Sequence, residues 1–188
     1  MKHSLDQLLG LHCASALVGV EPANLVCVPQ KEIPCLEQEL EIYQRVFAKK
    51  GVAFQTLCTC PQHQLILVFR PAMVEHYLNQ EPVARLLEQY GYDRTQPLDQ
   101  KLERLRQRME TSKQFPHEIG LFLGYPVEDV VGFIHQKGQN FKLSGPWKVY
   151  GDVERAKKSF QRIARVSTAL RQRMEQGLSL FQVFSLAA

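Results

Sequence analysis

The 188-residue sequence lacks the patterns that identify several large classes of protein. It has no apolar run of about eighteen residues, the length that a membrane-spanning helix needs. It also contains no phosphate-binding glycine loop, no GxSxG turn, no HExxH motif and no CxxC pair. ATP hydrolysis, serine hydrolysis, zinc proteolysis and dithiol exchange therefore lack their usual signatures. The sequence leaves open whether the protein is an enzyme, and it indicates no cofactor.

Cysteine is present in an odd number, and the five residues are Cys13, Cys27, Cys35, Cys58 and Cys60. An odd set without a clear export signal favours reduced thiols over a disulfide framework. The N-terminal stretch MKHSLDQLLGLHCASALVGVEP is interrupted by polar side chains and shows no clear cleavage site. We therefore interpret it as an amphipathic helix that opens with a capping box of Ser4 and Gln7. We expect a cytoplasmic location with no membrane partner.

Strand-like and helical segments alternate in the first half of the chain. Short apolar runs bounded by proline or turn residues predict strands at Asn24–Val28, Val52–Cys60 and Gln64–Arg70. Helical spacing of apolar residues dominates most of the remainder. This pattern predicts an α+β fold, in which a small sheet of three to four strands is covered by helices.

The second half is predicted to be mainly helical. A charged helix is expected over Leu98–Lys113, and a long terminal helix begins at the N-cap Asp152 and ends before Gly177. The length suits one domain over 1–188, with a strand-containing half (1–96) and a mainly helical half (97–188).

Charge is distributed unevenly along the chain. Residues 1–136 carry 13 Lys or Arg and 16 Asp or Glu, whereas residues 137–188 carry 10 and 3. Four of the C-terminal cations fall on one helix face, namely Arg155, Lys158, Arg162 and Arg165. This stripe could meet an acidic protein or nucleic acid, or it could be solvated or dock on the acidic part of the same chain.

The segment from Phe115 to Asp152 combines glycine stops, two predicted helices and the only tryptophan. Alternation at residues 147–150 predicts a strand with Trp147 and Val149 on one face and Lys148 and Tyr150 on the other. With Tyr125, these side chains could line an aromatic, cationic ligand pocket, so the candidate ligand-binding residues are Tyr125, Trp147, Lys148 and Tyr150. Alternatively, Trp147 and Val149 pack in the core while Lys148 and Tyr150 lie on an ordinary solvent-exposed surface without binding a ligand.

Acid–base groups also occur in this segment. His117 and Glu118 are predicted to lie in the first turn of a helix, and Asp129 in the first turn of the next helix. Carboxylates and an imidazole across a cleft could perform acid–base catalysis. Helix capping is the favoured explanation for Glu118, Glu128 and Asp129, because carboxylates at helix N-termini satisfy free N–H groups and interact favourably with the helix dipole.

Two cysteine motifs are weak candidates for chemistry. Cys58-x-Cys60-x-x-His63 offers two thiols and an imidazole but no fourth zinc ligand, and buried thiols beside a surface histidine are the alternative. His12 and Cys13 are adjacent, so on a helix they cannot pair directly. Cys13 could still act as a nucleophile with a distant histidine, or it could be a small core residue.

The runs FLGYPVEDVVGFI and WKVYGD, with the N-terminal HCASALVGVEPANL, resemble the uncharacterised bacterial family called domain of unknown function 3793. The resemblance covers about the whole chain and implies no activity. It implies that the N-terminal helix and the Phe115–Asp152 segment define the family, and it suggests a redox- or iron-linked ligand. The resemblance also implies a departure, because members of the family carry cysteine at the position of Ser144 and often at that of Ser167. A thiol or metal role built on those positions could not operate in this chain.

Three functional hypotheses follow. The first is a small anionic or aromatic ligand bound between the N-terminal helix and the 115–152 segment. The second is an interaction module that uses the basic C-terminal helix. The third is a thiol enzyme with Cys13 as nucleophile.

Overall fold

A computed structural model describes residues 4–111 and 115–185. The fold is α+β, as predicted, because a small antiparallel sheet is combined with many helices. The strands in chain order are β1 Ala23–Pro29, β2 Ala53–Thr59, β3 His63–Phe69, β4 Leu143–Ser144 and β5 Lys148–Val149. The helices are α1 Leu5–His12, α2 Ala14–Leu17, α3 Leu36–Ala48, α4 Pro71–Leu78, α5 Glu81–Gln89, α6 Leu98–Thr111, α7 Ile119–Phe122, α8 Val127–His135, α9 Val153–Glu175 and α10 Leu180–Ser185.

The chain divides into two compact units. The first contains the chain up to Pro71 and from Ile163 onward, and the second contains 72–162. Neither boundary coincides with the predicted division at residue 96, because the C-terminal part of the chain returns to the unit formed by the N-terminal part. The single-domain organisation stays a prediction.

The sheet of the first unit has the strand order β1–β3–β2 and is antiparallel throughout. All three predicted strands are observed to within about two residues. On one face, Val26 and Val28 alternate with the exposed Cys27, and they pack with Ile66 and Val68 in the core. A bulge between Thr56 and Cys58 shifts the register of β2 near its end.

Arg70 fixes the ends of two helices in this unit. Its guanidinium donates hydrogen bonds to the carbonyl oxygens of Ala16 and Leu17 at the end of α2, at 2.7 and 2.6 Å. It also donates to the carbonyl of Lys50 just after α3, at 3.1 Å. The Ala16 carbonyl also accepts from the backbone N–H of Gly19 at 3.1 Å. Arg70, which directly follows β3, thus adds donors to carbonyls at and just beyond the ends of two helices, where intrahelical donors run out.

Helix α1 begins as the sequence predicts. Ser4 and Gln7 form a capping box, in which each side chain accepts from the other residue's backbone N–H. Asp6, in the first turn, accepts from the Tyr43 hydroxyl at 2.5 Å and from the backbone N–H of Leu180 at 3.0 Å. The Asp6 carboxylate therefore links the first residue of the C-terminal helix α10 to α1 within the first unit.

The second unit consists of helices α4 to α8, the β4–β5 hairpin and the beginning of α9. Asp152 is the N-cap predicted for α9, since its carboxylate accepts from the backbone N–H of Arg155 at 3.0 Å. The predicted helix at Leu98–Lys113 is observed as α6 up to Thr111, and residues 112–114 lie outside the described ranges.

Candidate functional site

Asp129 holds the β4–β5 hairpin on helix α8. Its carboxylate accepts from the indole N–H of Trp147 at 2.8 Å, and from the backbone N–H groups of Tyr150 and Gly151 at 2.7 and 2.8 Å. The side chain is buried. Asp129 lies in the first turn of α8, as predicted, but its carboxylate accepts from the hairpin and not from the N–H groups of the helix. It determines where the strand carrying Lys148 lies.

Trp147 is enclosed by neighbouring rings. Tyr125 stacks on the indole with ring centroids 4.9 Å apart, and Phe160 approaches it edge-on at 4.6 Å. Val149, on the same strand face, is fully buried. The predicted alternation is confirmed for this face, and both aromatic candidates Tyr125 and Trp147 lie in packing contacts of the second unit.

Tyr150 points to the opposite side of the strand and packs on α8. Its ring occupies the space beside Gly132, where any Cβ would collide with it. The hydroxyl oxygen is buried and has no hydrogen-bond partner within the described ranges. Burial, with the nearby Asp129 carboxylate, raises the pKa of this phenol.

Among the predicted ligand-binding residues, Lys148 places its ammonium group over aromatic rings. Its ammonium nitrogen lies 4.8 Å from the ring centroid of Phe141 and 5.8 Å from that of Phe133. It also donates to the carbonyl of Gly138 at 2.6 Å. The cation is thus held between two phenyl rings and one backbone carbonyl, an arrangement that cation–π attraction stabilises.

The same surface continues through His117. The His117 ring lies 5.1 Å from that of Phe133 and 6.2 Å from that of Phe115, measured between centroids. Phe115 and Phe141 are 48% and 40% exposed, which is unusual for side chains of this size. We call Phe115, His117, Phe133, Phe141 and Lys148 the aromatic row.

A strained loop supports one end of the aromatic row. Lys137 and Asn140 have φ angles of 50° and 54°, in the left-handed region that residues other than glycine seldom adopt. Between them, Gly138 has φ 72°, and a Cβ there would crowd the Lys148 ammonium and the Phe133 ring. This backbone brings the Gly138 carbonyl to the cation and places Phe141 beside it.

Lys148 has no carboxylate partner among the described residues. Its ammonium group contacts the Gly138 carbonyl and the two phenyl rings and forms no ion pair there. The 130–151 segment contains three lysines and no aspartate or glutamate, and Asp129 and Asp152 flank it. An anion at the aromatic row would therefore meet an unpaired cation at Lys148.

Glu118 lies in a buried ion pair. It is 1% exposed and accepts from the guanidinium of Arg108 and, at 3.3 Å, from the hydroxyl of Tyr92. The prediction that it occupies the first turn of a helix is wrong, because α7 begins only at Ile119 and Glu118 precedes it without a side-chain capping bond. Its carboxylate instead raises the pKa of Tyr92 further, beyond the effect of burial.

The candidates His12 and Cys13 belong to the first unit. Cys13 is fully buried in the core cluster, whereas His12 is exposed. Burial raises the pKa of the Cys13 thiol far above its ordinary range, which disfavours the thiolate that a nucleophile needs. The predicted pocket linking these residues to the 115–152 segment stays a prediction.

The motif of Cys58, Cys60 and His63 lies at the β2–β3 turn. β2 ends at Thr59, so Cys60 precedes the turn and His63 opens β3, with the Cys60 N–H donating to the His63 carbonyl at 2.9 Å. The three residues do not form a ligand set. Throughout residues 4–111 and 115–185, no three His, Cys, Asp or Glu side chains are grouped to hold a metal ion.

The four cations of the predicted stripe are all exposed on α9. Arg155, Lys158 and Arg162 belong to the second unit, and Arg165 belongs to the first. Helical spacing places them opposite Phe160, whose ring packs on Trp147. None of the four side chains forms an ion pair with another described residue. Ser144 is exposed in the hairpin, and Ser167 is half-buried on α9.

Phe133 and Phe141, the two rings beside Lys148, were not among the residues predicted from the sequence. Phe133 lies on a helix and Phe141 in a loop, and no spacing rule relates either position to Lys148. The only signal in the sequence was the composition of the 130–151 segment, which has three lysines, two phenylalanines and no acidic residue. Arg108, which pairs with Glu118 ten residues later, was not predicted either.

Comparisons with known proteins agree with the resemblance seen in the sequence. The model of the family described as "Protein of unknown function (DUF3793)" matches residues 9–184. No curated protein and no solved structure matches the chain. Within the described ranges, every helix falls short of the length or the apolar character that crossing a membrane requires.

Proposed function

The chain belongs to the DUF3793 family, and because the family description assigns no activity, we propose a function from its second unit: binding of a small anionic ligand with an aromatic ring. The binding surface is the aromatic row. The observation that supports it is the position of Lys148 between the rings of Phe133 and Phe141.

Lys148 has unused binding capacity in this position. An ammonium group has three N–H donors, and the Gly138 carbonyl accepts one of them. The remaining donors can bind a carboxylate or phosphate, and the neighbouring rings reduce the competition from water. A flat ring on the same ligand can stack on Phe141 or Phe115, both of which are partly exposed. His117 adds a further polar group on the same surface.

We favour a binding function over a catalytic one because the side chains of Cys13 and Glu118, two of the predicted catalytic residues, are buried. Cys13 is buried as a thiol, and Glu118 is engaged by Arg108 and Tyr92. Neither group is available as a nucleophile or general base at a surface that a substrate could reach. All five cysteines are free thiols, which fits a reducing cytoplasmic location.

The test uses flavin mononucleotide as an anionic aromatic probe, and riboflavin as the matched probe without a phosphate. Binding is followed through probe anisotropy and through quenching of Trp147, the only tryptophan. We expect flavin mononucleotide to bind more tightly than riboflavin. Lys148→Met should lower the affinity for flavin mononucleotide about tenfold, since one charge contact contributes about 1–2 kcal/mol. The same variant should leave the affinity for riboflavin unchanged.

Two further variants complete the experiment. Phe141→Ala should lower the affinity for both probes, because it removes a ring on which either probe can stack and leaves the charge of Lys148 in place. Lys31→Met, at an exposed lysine of the first unit, is the control and should change neither affinity. Equal affinity of flavin mononucleotide for the wild type and for Lys148→Met would contradict the proposal.

A second candidate function is supported by the unpaired cations on α9. A stripe of exposed arginine and lysine can contact consecutive phosphates of a single-stranded nucleic acid. We expect a fluorescent thymidine oligonucleotide to bind with an affinity that falls as salt increases. Neutralising Arg155, Lys158 and Arg162 to glutamine should reduce the salt slope by about 2, whereas an unchanged slope would exclude this role.

A further inference from the structure

Helix α3 of the first unit carries two large apolar side chains on its solvent side. Leu36, Tyr43 and Phe47 bury the opposite side of the helix in the core. Ile42 and Val46 are 52% and 37% exposed. They lie one helical turn apart, so they form a short apolar strip. The proposed function of the second unit does not use this strip, and exposed apolar neighbours of this size are candidates for a contact with another molecule.

Glu41 and Arg45 carry unpaired charges on one flank of this strip. Both are exposed, and both line a groove of about 590 Å³ between α3 and β2. Their i,i+4 spacing, with the acidic residue first, is the one that favours an ion pair within a helix. Yet neither side chain forms an ion pair within residues 4–111 and 115–185. Both charges are therefore available to a partner molecule.

The helix dipole explains only part of this arrangement. Acidic residues in the first turn and basic residues in the last turn stabilise an isolated helix, which accounts for Glu37, Glu39 and Arg45. It does not account for Glu41, which lies in the middle of α3. Nor does it account for the exposure of the apolar strip.

A second copy of α3 that runs in the antiparallel direction complements this surface. A twofold axis brings the same flank of two helices together in opposite directions. With the axis beside residues 43 and 44, Ile42 of each copy meets Val46 of the other, and Glu41 of each copy meets Arg45 of the other. Each contact is made twice, once on either side of the axis. We propose that the exposed face of α3 is the interface of a homodimer.

The edge of the neighbouring strand is less suited to receive a second copy. β2 lies at the edge of the sheet, and the Phe54 N–H points outward and donates to the side-chain oxygen of Gln44 at 2.8 Å. A helix side chain thus covers one of the few backbone donors through which an added strand would pair. The strip formed by Ile42 and Val46 has no such cover, so we favour pairing of helices over pairing of strands.

The dimer is measured by sedimentation velocity of the full chain. Each copy contributes one helix face, so the contact lies at the small end of specific interfaces and the dimer should be weak. Over concentrations from about 10 μM to about 1 mM, we expect the average mass to rise from that of one chain towards that of two. A wild-type chain that stays monomeric throughout this range would overturn the proposal.

A charge placed in the apolar strip should weaken the dimer. Ile42→Glu should lower the association constant at least about tenfold, because the new carboxylate would be buried against Val46 of the other copy. Leu11→Glu is the matched control, since Leu11 is an equally exposed apolar residue on α1. It should leave the association constant unchanged. Equal association of Ile42→Glu and the wild type would exclude this interface.

Exchanging the two charges tests the antiparallel arrangement. Glu41→Arg alone and Arg45→Glu alone each place like charges opposite one another, so each variant should self-associate about tenfold more weakly than the wild type. In an equimolar mixture, the two variants can form a heterodimer in which both opposed pairs carry opposite charges. The mixture should therefore associate about as well as the wild type, and a folding defect of either variant cannot produce this gain.

A second mixture controls for the overall charge of the two proteins. Glu81 and Arg85 on α5 have the same spacing and are exposed in the second unit. Glu81→Arg and Arg85→Glu should associate in a mixture no better than each does alone. If the mixture of Glu41→Arg and Arg45→Glu also associated no better than its components, the antiparallel α3 dimer would be wrong.

Discussion

Replacing Asp129 by alanine should destabilise the second unit strongly. The substitution leaves three donors without their acceptor: the indole N–H of Trp147 and the backbone N–H groups of Tyr150 and Gly151. Each charge-assisted bond contributes about 1.5–3 kcal/mol. The two backbone groups are partly exposed and can regain water, so we expect a total loss of about 3–5 kcal/mol. That is a large fraction of the ~5–15 kcal/mol by which domains are stable.

The assay is urea unfolding followed by tryptophan fluorescence, which reports on the second unit because Trp147 is the only tryptophan. Asp129→Asn keeps one acceptor oxygen and should show an intermediate loss. Glu128→Ala is the matched control, since Glu128 lies in the same helical turn but is exposed. It should cost at most about 1 kcal/mol through the helix dipole. If Asp129→Ala and Glu128→Ala were equally stable, Asp129 would not be what holds the hairpin on α8.

Three further predictions concern buried polar groups. Glu118→Gln should reduce the free energy of unfolding by about 2–3 kcal/mol, because it leaves Arg108 partly buried without a counter-charge; an unchanged urea midpoint would contradict this. Burial and neighbouring carboxylates raise the pKa of Tyr43 and Tyr92, so above pH ~10 the unfolded chain binds fewer protons than the folded chain. The stability that the two protonated phenols contribute is therefore complete below pH ~10 and is lost as pH rises further. We expect the urea midpoint of unfolding to fall steadily above that pH. A midpoint that does not change with pH would show that these phenols are accessible to solvent. Cys13 should react with a thiol reagent only after unfolding, and rapid labelling of Cys13 in the folded protein would restore the thiol-enzyme hypothesis.

Local sequence patterns were sufficient for most of the secondary structure. The capping box at Ser4 and the N-cap at Asp152 are confirmed because capping depends on residues only a few positions apart. The predicted strands were also found, since alternation of apolar residues and turn-forming prolines are local signals. The alternation around Trp147 correctly identified the buried face of β5 for the same reason.

The partners of the polar residues could not be predicted, because they come from distant parts of the chain. Asp129 and Glu118 both suited helix capping by local rules, yet one holds a hairpin about twenty residues later and the other pairs with α6. The environment of Lys148 depends on the left-handed loop at residues 137–140, which brings Phe141 and a carbonyl to its ammonium group. The sequence by itself thus determined which segments are helices and strands and which faces are apolar. Only the tertiary structure decided which charges are paired, because pairing depends on distances in space that spacing along the chain does not contain.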